Sequence, residues 1–439
     1  MALLQEKKVF LQKISIFLLK NGRKRKKLMK KNILLMLLAL AFPFLHVSGQ
    51  RHQTFADDIR SLRVSTSRYD TGLPVIELRS GEYVNIAFDV MSHDYRRFTY
   101  TVSHCEADWS PSESLFESDY IEGFSSGMVI EDCEKSVNTG ELYSHYTLSV
   151  PNRECRLSMS GNYILTVYDN DADDAPVLRV CFMVVESRMS ASLTVSPRTD
   201  KEINGRYQQA DVQVGYNGVS VTSPERQVKV VVMQNWRWST ARTLPRPQAY
   251  LAQGMQWYHC KDLIFPATNE YRKFEYLDLR RNTMGVENSD FDGDNYIVNL
   301  YRDYPRPHYV YDEDANGAFF IRNFYNNNND TESEYFLCNF SYHAPEPFKG
   351  EVYLNGQWTN DRLLPEYRME YFPEEQCYRC TVMLKMGYYS YQYVMEKPDG
   401  EVVYLPAEGD FYQTENHYSC LVYYRPMGGR TDLLYAVCR

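Results

Sequence analysis

The chain has 439 residues, 44% hydrophobic, 24% charged and 14% aromatic, with a formal net charge of −9. That composition excludes a disordered or collagen-like chain, because ample apolar surface is available to offset the entropy of ordering, and the length suits about two to four domains. A mean hydropathy of −0.50 argues against a polytopic helical membrane protein.

The amino-terminal region reads as an export signal. Residues 1–31 carry 11 Lys and Arg and one acid, Glu6. Ile33 to Leu45 is an uninterrupted run of 13 apolar residues, and Val47-Ser48-Gly49 supplies the small residues before Gln50. Basic, apolar and small-residue regions in that order predict a secretory signal peptide cut near Gln50, with residues 1–49 removed. The apolar run is too short to span a bilayer. Without residues 1–49 the chain keeps 37 basic and 56 acidic side chains, a net charge near −19. That sign is wrong for releasing counterions from phosphate, so a nucleic-acid partner is excluded. All ten cysteines follow the signal region, and their pairing cannot be read from spacing.

From there the periodicity is two. Val84, Ile86, Phe88 and Val90 alternate with polar or small residues, as do Phe98, Tyr100 and Val102. Tyr163–Tyr168 and Val177–Val185 read as a strand pair, and Val228 to Met233 as a strand buried on both faces. Tyr389, Tyr391 and Tyr393 form another strand face. With 37 Tyr and turn signals such as Asn355-Gly356 and Pro398-Asp399-Gly400, the fold class is all-β, built of tandem immunoglobulin-like sandwiches. The expected division is an amino-terminal sandwich over 50–186, a central β-rich domain over 187–332, and a carboxy-terminal sandwich over 333–439. The polar tract Asn326 to Asp330 reads as an exposed linker or loop.

Chemical motifs fail on context. Gly123-Phe124-Ser125-Ser126-Gly127 matches a nucleophile pattern, yet no helical period follows it. Cys377-Tyr378-Arg379-Cys380 lacks a second cysteine pair and opens a strand, and Gln376 replaces the Pro that a deaminase reading with His104-Cys105-Glu106 requires. Asp290, Asp292 and Asp294, like Asp169, Asp171, Asp173 and Asp174, do not complete a calcium loop. We therefore expect no enzyme, no catalytic or metal residue and no cofactor. Val352 to Trp358, followed by Gly387 to Tyr393, resembles the early strands of starch-binding immunoglobulin-like modules. Exposed aromatic faces stack on sugar rings, so a secreted or periplasmic glycan-binding protein is the alternative reading, but these rings read first as facing the core or lining an interface.

Seven further strings, in order from Asp57 to the carboxyl terminus, carry a wider resemblance. They are Ser136-Val137-Asn138-Thr139 with Tyr143-Ser144-His145-Tyr146, Gly161-Asn162-Tyr163 running to Asp171, Gln234-Asn235-Trp236-Arg237-Trp238, Asn269-Glu270-Tyr271-Arg272, Asp314-Ala315-Asn316-Gly317, Gly409 to Asn416, and Tyr423-Tyr424-Arg425-Pro426. Together they resemble the type IX secretion system plug family of Bacteroidota. Tyr271 and Glu275 stand where the family suggests Phe and Asp. The resemblance implies a non-enzymatic periplasmic protein on the inner face of the outer membrane. It also implies a large β-barrel translocon as partner, no small-molecule substrate, and contact residues that stay unknown.

Overall fold

The computed structural model describes residues 51–439, so the expected signal peptide lies outside the described residues. Among those residues the α-helices are single turns of four residues, and none is long and apolar enough to cross a membrane. Strands organise everything else. They stack as three β-sandwiches, each with its own apolar core.

In the first sandwich, Ala175–Val185 pairs antiparallel with Gly161–Asp169, which pairs in turn with Phe98–Cys105. The facing sheet runs Ile59–Thr66, Val84–Val90, Ser144–Val150 and Asp132–Lys135. Alternation decides which side chains meet between the sheets. Ile86, Phe88, Tyr100, Val102, Tyr146, Tyr163 and Phe182 are all buried there. Phe88 stacks on Tyr146 at 5.5 Å, and Phe98 meets Tyr146 edge-on at 4.9 Å.

The second sandwich is discontinuous. One sheet contains Ser190–Ser196, Tyr207–Gly215, Gly254–Trp257 and Ala249–Leu251. The other places Arg242–Thr243 beside Val228–Gln234, then Tyr418–Tyr424 and Leu433–Cys438. Val228–Gln234 pairs residue for residue with a strand 190 positions away in sequence, Val228 opposite Tyr424 and Gln234 opposite Tyr418. The chain therefore leaves this sandwich after Ile264–Pro266, builds the whole third sandwich, and returns to finish the second.

The third sandwich sets Gly387–Glu396, flanked by Arg272–Tyr276, Phe319–Ile321, Glu351–Asn355 and Val402–Tyr404, against a five-stranded sheet. That sheet is ordered Val286–Phe291, Tyr296–Leu300, Tyr335–His343, Cys377–Lys385 and Glu370–Phe372. Its core draws on residues from Phe274 to Leu405.

These cores correct two expectations. The division at 332/333 cuts through the third sandwich, whose core takes residues from both sides of it. The last two strands belong with the second core, where Tyr418, Cys420, Val422 and Ala436 pack. Period two identifies a strand but carries no information about its partner. Of the two readings of the Asn326–Asp330 tract, the loop holds and the linker does not. The tract is a turn inside the third sandwich, with Asn326 and Asn328 in the left-handed region at φ 49 and 43, leading into a helical turn at Asn329–Glu332. Asn tolerates that conformation, and a tight turn needs the same polar composition as a linker.

Discontinuity makes a sharp prediction. Truncation after Glu415 removes both strands that close the second sandwich, and cooperative thermal unfolding of residues 187–267 should be lost. Limited proteolysis should then cut that segment while the third sandwich stays resistant.

Candidate functional site: the seams between the sandwiches

Buried polar groups link sandwich to sandwich. The Val228–Gln234 and Tyr418–Tyr424 sheet is buried on both faces, as its apolar run predicts. Val230, Val232, Cys420 and Val422 face its own core, whereas Val231, Met233, Leu421, Tyr423 and Leu434 pack on Cys181, Met183 and Val185 of the first sandwich. At the edge of this apolar seam, Tyr423 donates to Asn162 Oδ1 at 2.9 Å and Asn162 Nδ2 donates to the Glu106 carbonyl at 2.8 Å. Gly161 is required beside it: its φ is +143, and a Cβ there would stand 2.3 Å from His104 Nε2. Asp432 accepts from Lys229 at 2.8 Å and Arg425 at 2.9 Å. Burial alone would raise its carboxyl, but those two cations hold it below the ordinary value.

The seam between the first and third sandwiches is ionic. Lys385 Nζ lies 2.6 Å from Asp89 Oδ2, and each side chain is 1% exposed. Asp89 also bonds His145 Nδ1 at 2.5 Å and accepts from Tyr335 Oη at 2.7 Å. Lys385 donates further to the Asp330 carbonyl at 2.6 Å and sits 3.9 Å above the Tyr143 ring. Desolvation pushes the Asp89 carboxyl up, yet the Lys385 charge and the His145 bond outweigh it and hold it below the usual carboxylate range. Desolvation also lowers the Lys385 ammonium. Around this pair, Glu334 accepts from the Gly140 and Glu141 amides, Val137 N donates to the Thr331 carbonyl at 2.9 Å, and Tyr143 Oη donates to the Ser333 carbonyl at 2.8 Å.

Between the second and third sandwiches the outgoing and returning chains are laced together. Asp410 accepts from Thr268 N at 2.9 Å, Thr414 Oγ1 donates to the Thr268 carbonyl at 2.9 Å, and Asn416 Nδ2 donates to the Ala267 carbonyl at 2.7 Å. Arg272 bridges Asp303 at 2.6 Å and Glu408 at 2.9 Å. Asp314 accepts from the amides of Tyr271 and Asn316, each at 2.5 Å, and burial raises its carboxyl to about 6.

All three bodies meet around Trp236. Asn235 and Trp236 are both left-handed, at φ 50 and 57, and Trp236 stacks on His417 at 5.0 Å. Trp238 meets Trp109 edge-on at 5.3 Å, and Arg237 bonds Asp361 at 3.1 Å. Trp109, Asn235, Trp236, Arg237, Trp238 and Asp361 line a cavity of about 340 Å³.

The chemical motifs sit elsewhere and do not converge. Ser125 bonds Glu117 and lies between the strands Ile121–Gly123 and Met128–Val129. Cys377 and Cys380 are three residues apart on one strand, which sends their thiols to opposite faces. Asp292 Oδ1 accepts from the amides of Asp294 and Asn295, forming a hairpin tip. His104 is buried, bonded to Ser112 Oγ at 2.8 Å and the Ser160 carbonyl at 3.1 Å, and burial lowers its pKa. Among the described residues no three His, Cys, Asp or Glu stand close enough to hold a metal ion. Trp358 goes to the core and not to a sugar-stacking surface: it is 8% exposed, donates to the Ser390 carbonyl at 3.1 Å, and packs on Phe340, Tyr367 and Tyr389. Tyr389, Tyr391 and Tyr393 are buried with it.

The strings that carried the family resemblance thus occupy the seams. The family model of the type 9 secretion system plug protein first domain matches residues 59–186, the whole of the first core. A crystal structure of a hypothetical protein from Parabacteroides merdae ATCC 43184 is 37% identical, with a TM-score of 0.85 over 88% of this chain and 98% of that one. Residues 59–186 thus form a type 9 secretion system plug protein first domain. No curated protein matches the chain.

Sequence reading found the seam strings by resemblance but missed Asp89, Lys385 and Glu334 as partners. One signal was present: Lys385 interrupts the apolar run Val382-Met383-Leu384 and Met386. A cation there must find a buried anion.

Two measurements probe the seams. Lys385→Met leaves Asp89 buried without its cation and should cost about 3–5 kcal/mol in urea unfolding, most of it recovered in Lys385→Met/Asp89→Leu. Asp314 has a raised folded pKa, so its contribution to stability is present below the unfolded value of 3.8 and lost as pH rises through about 6. Asp314→Asn should flatten the melting temperature profile between about pH 4 and pH 6.

Proposed function

We propose that this protein is a non-enzymatic plug that occludes the periplasmic mouth of the outer-membrane β-barrel translocon of type IX secretion. The plug protein first domain at residues 59–186 carries this reading. The seams support it physically. A stopper must resist deformation, and three sandwiches locked by an apolar seam, a buried ion pair and laced crossing chains present one rigid body. Such a body seals a rim through many modest contacts and still releases, because interface area does not set affinity by itself. The role needs no bond-making step and assigns none.

Location follows from the same proposal: export across the inner membrane, then attachment to the inner face of the outer membrane through protein contact. Affinity purification from detergent-solubilised envelopes should recover a very large outer-membrane barrel protein. Deletion of the gene should sensitise cells to bulky antibiotics that an open lumen admits. Failure of both results removes the proposal.

A further inference from the structure

The outer face of the five-stranded sheet in the third sandwich carries a row of polar side chains that the core does not use. Asn288, Asn299, Asn339 and Thr381 stand directly opposite one another on four neighbouring strands. Thr381 Oγ1 donates to Asn339 Oδ1 at 2.6 Å, Asn339 Nδ2 to Asn299 Oδ1 at 2.8 Å, and Asn299 Nδ2 to Asn288 Oδ1 at 2.7 Å. Every donor in the row points the same way, so each bond polarises the next. A carboxamide has two N–H donors and two acceptor sites. The row uses one of each on Asn299 and Asn339, leaving one donor and one acceptor on both, together with the accepting lone pairs of Thr381 Oγ1, for another molecule. Repetition is set by strand spacing, about 4.8 Å.

All four residues line an open groove of about 680 Å³ between this sheet and the turn at Pro365–Tyr367. That volume suits a small ligand or a short oligomer. Its lining holds as many cations, Arg302, Arg368 and Arg379, as anions, Glu287, Glu366 and Glu370, and Arg302 and Arg379 are further neutralised by Glu375 and Arg368 by Glu351. On a chain with a net charge of −9, balanced charge beside paired donors and acceptors selects a neutral, hydroxyl-rich ligand over an ion. Phe372, with the Arg379 guanidinium 5.5 Å from its ring centre, lines the same groove and adds an apolar surface. An extended peptide is disfavoured, because it would need an open strand edge, whereas Asn299 and Asn339 lie on strands paired on both sides.

We propose that this groove binds a neutral oligosaccharide, laid across the strands along the Asn288–Thr381 row. It is a different surface from Trp358, whose ring is buried, and it does not rest on the plug reading.

The full exported chain should be titrated calorimetrically with maltohexaose, cellohexaose, chitohexaose and mannohexaose. Hexagalacturonate and a neutral hexapeptide serve as the charged and peptide arms. Saturable binding of at least one neutral sugar is expected. Thr381→Val and Asn339→Leu should each weaken it about tenfold, the loss of one hydrogen bond. Thr381 is exposed, so its variant should melt with the parent and decides the matter if Asn339→Leu unfolds. No saturable binding of any neutral sugar, binding of hexagalacturonate or the peptide alone, or unchanged affinity in Thr381→Val overturns the proposal.

Discussion

Val228–Gln234 lies against Tyr418–Tyr424 in an unbroken antiparallel register, and closing that ladder holds the remaining architecture in place. The pairing brings together strands separated by the whole third sandwich, so loop-closure entropy is met before the pairing gives any return. What repays it is burial on two sides. Val230, Val232 and Val422 complete one core, while Val231, Met233, Leu421 and Tyr423 dock the same sheet on the first sandwich. A single sheet thereby serves as a wall of the second sandwich and as the floor under the first.

The other two seams are polar and do a different job. Apolar faces slide over one another at little cost, whereas Lys385 and Asp89 tolerate one geometry, since a displaced partner leaves a desolvated charge. Asp410, Thr414 and Asn416 tie the returning chain to the outgoing one at Thr268 and Ala267, which restrains hinge motion where the second and third sandwiches connect. Apolar area supplies adhesion, and the ionic and hydrogen-bonded seams fix the angle. For a protein proposed to act by its shape, the relative angle of the domains matters as much as their stability.

An outer sheet face with a directed amide row stands apart from this scheme. Its residues support no seam and enter no core, yet they satisfy one another in order from Thr381 to Asn288. A rigid scaffold is the setting in which such a row of weak hydrogen-bonding groups keeps its spacing for the proposed glycan.

Residue order alone determined the strands. Alternation at Val84 to Val90 and at Leu178 to Val184 set which side chains face inward, and the apolar run from Val228 announced a strand covered on both faces. Composition fixed a strongly acidic net charge, and the ordered strings carried the family resemblance. Partnership was decided only in three dimensions. Nothing in the Tyr418–Tyr424 pattern distinguishes the second sandwich from the third, because a strand's period records how many of its faces are covered and not by what. Likewise Trp358 has the same identity whether it stacks on a sugar or in a core; the surrounding Phe340, Tyr367 and Tyr389 settled that. Asp89 and Lys385, 296 residues apart, became a pair only when two sandwiches desolvated them together.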